Sequence, residues 1–161
     1  MGGADDKLLS AFEKGLYGTF YLAPHDYHRI HMPLDGTLVA LRYVPGRLFS
    51  VNQKTADTLP GLFAKNERVV LFFNTEYGPM VLVLVGAMIV ASISTPFAGL
   101  VAPQGKKILH QNYPHNAESY LHFKKGDEIG RFHLGSTVIA LVGNPDATWD
   151  LNLHEGLGVR F

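Results

Sequence analysis

After Gly18 the chain alternates short apolar runs with turns that contain glycine and proline. The runs are rich in β-branched and aromatic residues, which favour strands. The predicted strands are Thr19–Leu22, Thr37–Val44, Val69–Phe73, Met80–Val85, Met88–Ile93 and Val138–Val142. The spacing of the turns favours a sandwich or barrel over βαβ units. We therefore predict a mainly β fold with a few short helices (α+β), formed as one compact sandwich-like or barrel-like domain over residues 1–161.

Two segments have helical patterns. In Asp5–Lys14 the apolar residues Leu8, Leu9 and Phe12 recur at helical spacing behind an acidic start, which predicts a short amphipathic helix. The apolar face of this helix either packs against the core or contacts a lipid surface. The segment Asp57–Lys65 has room for one helical turn.

The composition excludes several classes of function. Apolar residues make up 47% of the 161 residues, which is enough for a single core. The 14 basic residues balance the 14 acidic ones and are scattered, so we expect no nucleic-acid partner. The absence of cysteine excludes disulfides and thiolate nucleophiles. The apolar run Met80–Ile93 is shorter than the ~18 residues of a spanning helix, and the first residues lack the pattern of a secretory signal.

Three of the eight histidines, His25, His28 and His31, recur at every third position. If Pro24 opens a helical turn, His25 and His28 share one face of it. In a strand, residues three apart point to opposite faces, and the spacing leaves both conformations open. Imidazole takes and gives protons near neutrality, so the cluster is a candidate acid–base site, although surface histidines with no such role show the same pattern. We predict no metal site, because the run offers no fourth ligand at a standard spacing.

A glycine-rich turn leads into the last predicted strand through Gly135, Ser136 and Thr137. Gly135 has no Cβ and tolerates unusual torsions, so the Ser136 hydroxyl can approach the Gly135 carbonyl carbon. An N-to-O acyl shift followed by elimination would split the chain here and convert Ser136 into a pyruvoyl group. A pyruvoyl group withdraws electrons and supports decarboxylation of an amine without pyridoxal phosphate. By itself, however, the tripeptide is a common turn sequence.

The segment Tyr21–Pro33, together with Gly130–Thr137, resembles the signature pair of the phosphatidylserine decarboxylases. Together the two motifs are highly specific. Four intervening segments are also similar to that family: Phe49–Asn52, Phe63–Arg68, Glu76–Pro79 and Val85–Ser92.

The resemblance implies cleavage between Gly135 and Ser136 into a β chain of residues 1–135 and an α chain of residues 136–161, capped by a pyruvoyl group derived from Ser136. The implied reaction converts phosphatidylserine to phosphatidylethanolamine and CO2. By position, His28 matches the base that acts on the cleavage serine, and His25 matches the histidine implicated in substrate handling and decarboxylation. The family's upstream Pro-x-Asp-Gly segment, whose aspartate completes the self-cleavage triad, has no counterpart here. We therefore expect an N-terminally truncated member with impaired self-maturation.

The partners implied by the resemblance are phosphatidylserine, a membrane surface and a second copy in a homodimer. The implied location is peripheral, on the cytoplasmic face of a bacterial inner membrane. One alternative is an unprocessed, catalytically inactive lipid-binding or interaction domain that keeps the decarboxylase fold. A serine hydrolase that uses Ser136 with His28 is disfavoured, because the chain has no Gly-x-Ser-x-Gly motif. We interpret Asp35-Gly36 as a hairpin turn and not as a catalytic segment.

Overall fold

The computed structural model describes residues 10–88, 92–114, 120–133, 136–150 and 152–158. In these residues strands dominate, and two short helices lie between the third and fourth strands. The strands are β1 Leu16–Leu22, β2 Arg29–His31, β3 Gly36–Val44, β4 Arg68–Thr75, β5 Gly78–Val85, β6 Ile93–Thr95, β7 Gly99–Ala102, β8 Leu109–Asn112, β9 His122–Phe123, β10 Glu128–Phe132 and β11 Ser136–Val142, and the helices are α1 Gln53–Thr58 and α2 Leu62–Lys65.

The strands form two antiparallel sheets. The larger sheet has the order β1-β11-β5-β4-β3-β8, and β9 also pairs with β3. The smaller sheet has the order β2-β10-β6-β7. Within the described residues neither sheet closes into a barrel. The predicted mainly β class is therefore confirmed, in an open two-sheet form.

The main core contains residues of both sheets. Val69, Leu71 and Phe73 on β4 are at most 1% exposed, and the smaller sheet contributes Ile93 and Ile129, which are fully buried. The alternation along β4 buries every second side chain, as expected for a strand with one face against a core. In the sequence itself Val69–Phe73 is continuously apolar, so β4 was predicted from its β-branched and aromatic residues and not from alternation.

A second apolar cluster lies on the opposite face of the larger sheet. Val85 and Ile139 pack there with Val51, Leu62 and Ala87, so α1 and α2 cover this face. The Asn52 side chain caps α1 by accepting a hydrogen bond from the backbone N–H of Thr55 at 2.9 Å. The predicted helical turn is thus two short helices, the first of which starts before Asp57. No helix in the described part of the chain has the length and hydropathy needed to cross a bilayer.

Two other predicted elements differ from the structure. Met88 lies in a turn and β6 begins only at Ile93, because the chain leaves the larger sheet after Val85 and must cross to the smaller one. Residues 89–91 lie outside the described residues. Asp35-Gly36 joins β2 in one sheet to β3 in the other, so the predicted hairpin there is wrong.

Half of the predicted N-terminal helix, residues 5–9, lies outside the described residues. Ser10 is helical, residues 11–14 form turns and β1 begins at Leu16. Phe12 and Leu16 are half-buried.

The register places several strand ends at one end of the larger sheet. β1 ends where β11 begins, with Leu22 opposite Ser136. Val85, the last residue of β5, lies opposite the second residue of β11 and also opposite Arg68, which begins β4. β3 ends in the same row, with Val44 opposite Arg68. We call this edge the Ser136 end of the larger sheet.

Candidate active site

The two sequence motifs meet where the chain crosses between the sheets. Residues 23–28 lead from β1 in the larger sheet to β2 in the smaller one, and the chain returns from β10, which ends at Phe132, to β11, which begins at Ser136. Leu22 pairs with Ser136 at one end of these connections. At the other end the backbone N–H of Phe132 donates to the carbonyl oxygen of His28 at 2.9 Å. The histidine loop, which we define as residues 23–28, therefore begins beside the first residue of β11 and ends beside the last residue of β10.

Ser136 is the first residue of β11 and is 0% exposed. By alternation it shares the face of Val138, which belongs to the core between the sheets. Among the described residues its Oγ has no hydrogen-bond partner, and neither has the buried Oγ1 of Thr137 on the opposite face. Buried hydroxyls nearly always have a partner, and an unpaired one costs ~1–3 kcal/mol. Ser136 is therefore unfavourable for stability and is a candidate reactive group. Gly135 lies outside the described residues.

His28 is half-buried and has one engaged ring nitrogen. Its Nε2 lies 3.3 Å from the carbonyl oxygen of Pro24, and its Nδ1 is buried without a partner. Because a carbonyl oxygen can only accept, this contact assigns the proton of the neutral ring to Nε2 and leaves a lone pair on Nδ1. A free lone pair of this kind can accept a proton from a nearby hydroxyl. Ser136 Oγ, at the start of β11, and His28 Nδ1, at the end of the histidine loop, are thus two buried polar atoms without a partner among the described residues.

His25 lies in a different environment. The Asp26 N–H donates to the Ala23 carbonyl oxygen at 2.9 Å, and the Asp26 carboxylate accepts from the Ala23 N–H at 2.7 Å. Pro24 and His25 therefore occupy the centre of a tight turn. The side chain of His25 is 86% exposed and lies 3.6 Å from the Asp26 carboxylate. The shared helical face that one alternative required does not form, and His25 and His28 point into different surroundings.

His31 has partners on both ring nitrogens. Its Nδ1 lies 2.7 Å from the carbonyl oxygen of Gly126, which assigns the proton to Nδ1. Its Nε2 lies 2.9 Å from the hydroxyl of Tyr27, and the two rings stack at 5.7 Å. A backbone carbonyl that fixes one nitrogen is the usual way to orient a histidine base. His31 is therefore a second candidate base, which the sequence analysis included in the histidine cluster without a role of its own.

The connection into β11 is held by a further histidine. The Nε2 of His133 lies 3.0 Å from the hydroxyl of Ser94 on β6, and its backbone N–H donates to the Ser92 carbonyl oxygen at 3.2 Å. The sequence motif contained His133, but only the pairing of β6 with β10 brings Ser94 beside it.

An ion-pair cluster lies beside the histidine loop. The Glu128 carboxylate binds Arg29 at 2.6 Å and Arg131 at 2.9 Å, and its side chain is 19% exposed. Partial burial acts to raise the pKa of Glu128, but the hydrogen bonds and positive charges of the two arginines outweigh it and lower that pKa. The Glu128 carboxylate therefore stays ionised and holds β2 and β10 together where the loop joins β2.

Comparison with known proteins identifies the family. The family model for phosphatidylserine decarboxylase matches residues 3–161. The chain belongs to the phosphatidylserine decarboxylase family. Similar proteins include the phosphatidylserine decarboxylase proenzymes of Pseudomonas entomophila (strain L48) and Pseudomonas fluorescens (strain Pf-5), each 54% identical over 158 residues, 98% of this chain and 55% of the relative. The proenzyme of Ectopseudomonas mendocina (strain ymp) is 52% identical over the same shares of both chains.

The chain spans about half the length of the curated phosphatidylserine decarboxylase proenzymes it matches. The family resemblance inferred from the two motifs is confirmed. In this member of the phosphatidylserine decarboxylase family, the two motifs meet at the Ser136 end of the larger sheet, where Leu22 of the first motif pairs with Ser136 of the second.

Proposed function

We propose that this chain is the core of a pyruvoyl-dependent phosphatidylserine decarboxylase that cleaves itself between Gly135 and Ser136. The observation that carries the proposal is the Ser136 hydroxyl, which is fully buried and unpaired at the start of β11. The relatives are named phosphatidylserine decarboxylase proenzymes, which supports the same reaction here. The proposed pieces are a β chain of residues 1–135 and an α chain of residues 136–161.

Self-cleavage would proceed in three steps. In the first, Ser136 Oγ bonds to the carbonyl carbon of Gly135, the C–N bond between the two residues breaks and the hydroxyl proton moves to the released amine. In the second, elimination removes the Cα proton of Ser136 and breaks its Cβ–Oγ bond, which frees a carboxylate on Gly135. In the third, water displaces the nitrogen of the remaining dehydroalanine as ammonia, and a pyruvoyl cap is left. His28 is the proposed base for the first step, because its Nδ1 lone pair is unengaged.

A pyruvoyl group suits position 136 for a physical reason. The serine oxygen leaves with Gly135, so the new cap ends in an apolar methyl group and the unpaired buried hydroxyl disappears. Once formed, the group supplies a carbonyl that withdraws electrons as CO2 departs. The pairing of β11 with β1 and β5 would hold its backbone in place. We assign substrate handling to His25, since its ring is exposed at the tip of the histidine loop.

The proposal also includes the partners of the enzyme. Phosphatidylserine is the substrate and phosphatidylethanolamine the product. The enzyme would act as a homodimer, bound peripherally to the cytoplasmic face of a bacterial inner membrane. Family membership supports the substrate and the product. Light scattering of the purified protein tests the dimer, and fractionation of cells tests the location.

The first test is the intact mass of the purified chain, followed by its activity. We expect two fragments divided at Ser136, of which the smaller lacks a free amino terminus. We also expect release of CO2 from phosphatidylserine labelled at its carboxyl carbon. A single full-length mass of 17.7 kDa without CO2 release contradicts the proposal. That result favours the alternative, an unprocessed lipid-binding or interaction domain.

A second test separates the roles of the histidines. His28→Gln should slow self-cleavage by ~10²–10⁴-fold, the usual contribution of a general base. His25→Gln should be cut normally but decarboxylate phosphatidylserine more slowly. His154→Gln is the matched control, because this histidine is exposed in the C-terminal segment, away from the strands. If His31→Gln blocks cleavage while His28→Gln is cut, the base is His31 and our assignment is wrong.

A further inference from the structure

We propose that an exposed apolar and basic surface at the Ser136 end of the larger sheet docks this protein onto an anionic lipid bilayer. The inference rests on the proposed function, whose substrate is a phospholipid, and it names the face that meets the membrane. We call this surface the rim. Its residues come from two segments: Arg47, Leu48, Phe49, Lys106, Lys107 and Ile108.

The topology places the rim on the same side of the molecule as Ser136. One rim segment follows β3, which ends at Val44. The other segment precedes β8, whose first residue, Leu109, lies opposite Tyr43. β3 is three strands away from β11, which corresponds to roughly 15 Å at the usual strand spacing. A flat partner that touches the rim would therefore also approach the start of β11.

The rim displays large apolar side chains to solvent. Leu48 is 37% exposed, Phe49 39% and Ile108 54%. The two segments face each other across an open cleft of about 710 Å³ whose lining includes Phe49 and Lys106. Grouped exposed apolar residues with charged neighbours are typical of interaction sites, whereas single exposed ones are ordinary.

Buried polar groups hold both segments at their bases. Asn66 is 0% exposed, and its amide oxygen accepts from the Phe49 N–H at 3.1 Å while its amide nitrogen donates to the Phe49 carbonyl oxygen at 2.8 Å. The buried Tyr43 hydroxyl lies 2.5 Å from the Glu67 carboxylate and 2.9 Å from the Gly105 carbonyl oxygen. The buried side chains of Asn66 and Tyr43 thus fix the backbone of both segments, so that the exposed apolar side chains have a defined position.

The positive charges of the rim indicate an anionic partner. Arg47, Lys65 and Lys106 line the cleft, and Lys107 follows directly. The one acid among the cleft-lining residues is Glu67, which is buried and hydrogen-bonded to Tyr43. Cations beside exposed leucine, phenylalanine and isoleucine match the surface of an anionic bilayer, where the charges meet headgroups and the apolar tips enter the interface. None of the rim residues belongs to the predicted N-terminal helix.

The test measures vesicle binding separately from catalysis. The purified chain is sedimented with vesicles of phosphatidylcholine alone, and with vesicles in which about one-third of the lipid is phosphatidylglycerol, an anionic lipid that is not the substrate. We expect binding to the anionic vesicles that weakens as salt rises. Lys106→Gln with Lys107→Gln should weaken binding about five-fold per charge. Leu48→Gln with Phe49→Gln should also weaken it, and the Asn66 anchor should survive, because it holds backbone atoms only.

Matched controls lie at the opposite end of the sheet. Lys125→Gln and Tyr77→Gln change an exposed cation and an exposed aromatic residue there, and both should bind vesicles like the parent. Unfolding curves of all variants show whether any loss of binding is a loss of fold. The proposal is wrong if the parent does not sediment with anionic vesicles, or if a folded rim variant binds these vesicles as tightly as the parent does. If the rim variants instead abolish a dimer and leave vesicle binding unchanged, the rim joins two copies and lipid docking is overturned.

The same proteins distinguish docking from the proposed function. Intact mass and decarboxylation of short-chain phosphatidylserine dispersed in detergent need no bilayer. Folded rim variants should therefore be processed and act on this substrate as the parent does, while their turnover on anionic vesicles falls. A chain that binds vesicles through the rim but remains uncut would support docking and contradict the proposed function.

Discussion

The substitution Ser136→Ala should abolish self-cleavage and at the same time stabilise the uncut fold. The first effect follows because alanine has no Oγ to attack the preceding carbonyl. The second follows because the Ser136 hydroxyl is 0% exposed and has no hydrogen-bond partner. Folding therefore strips this hydroxyl of water without replacing the lost hydrogen bond. If the hydroxyl had a hydrogen-bond partner, its replacement by alanine would instead lower the free energy of unfolding.

The size of the stabilisation can be worked from the structure. An unpaired buried hydroxyl costs ~1–3 kcal/mol, and alanine removes that penalty while leaving a void of only one oxygen atom. We therefore expect the free energy of unfolding to rise by about 1–2 kcal/mol, which corresponds to roughly 2–8 °C in Tm for a chain of this size. Thr137→Val is the matched variant, because Thr137 Oγ1 is also buried and unpaired and valine has nearly the same shape. It should stabilise by a similar amount.

The assay compares uncut chains only, by urea unfolding. Ser136→Ala is introduced into whichever histidine variant remains full-length, so that cleavage does not confound the comparison. Intact mass confirms that neither protein is cut. A loss of more than about 1 kcal/mol on Ser136→Ala would show that Ser136 Oγ has a partner in the folded protein, which would refute the reasoning. If Ser136→Ala in the parent chain is still cut, Ser136 Oγ is not the nucleophile.

Two further predictions concern the surroundings of the site. Asn66→Ala should lower the free energy of unfolding by about 3 kcal/mol in urea, because it removes three hydrogen bonds to backbone groups, including both polar groups of Phe49, at ~1 kcal/mol each. Glu128 should make stability pH-dependent: Arg29 and Arg131 lower its pKa in the folded state, so the unfolded chain binds the proton more readily in acid. The stability difference between the parent and Glu128→Gln should therefore be largest near neutral pH and should disappear as the pH falls below about 4.

Each of these predictions has a control on the same chain. Asn74→Ala changes an exposed asparagine on β4 and should alter stability by no more than about 0.5 kcal/mol. Asp146→Asn changes an exposed carboxylate and should leave the acid profile as it is in the parent. If Asn66→Ala is as mild as Asn74→Ala, the amide does not hold the rim. If Glu128→Gln shows the acid profile of the parent, the arginines do not bind Glu128 in solution.

The longer strands were predictable from the sequence because each has its own pattern. β3, β4, β5 and β11 contain the predicted runs, with ends that differ by one or two residues. β4, β5 and β11 contain nearly continuous runs of apolar, largely β-branched or aromatic residues, and such runs are a strong strand signal. β2, β7, β8, β9 and β10 were missed, since they have at most five residues and their pairing stabilises them more than their own composition does.

The sequence by itself determined the family and which residues carry the candidate chemistry. Two short motifs were specific enough to point to Ser136 and to the histidine cluster, and the comparison confirmed the family. The spacing of His25 and His28 could not decide their conformation, because a local pattern allows either a helical turn or a strand.

Only the tertiary structure decided how these residues differ. His28 is half-buried and its backbone is bound to Phe132 on β10, whereas His25 lies at the tip of a solvent-exposed turn. The burial of Ser136 likewise depends on β1 and on a core built from distant parts of the chain. Pairing between residues more than a hundred positions apart sets these environments, and no local window of sequence contains that information.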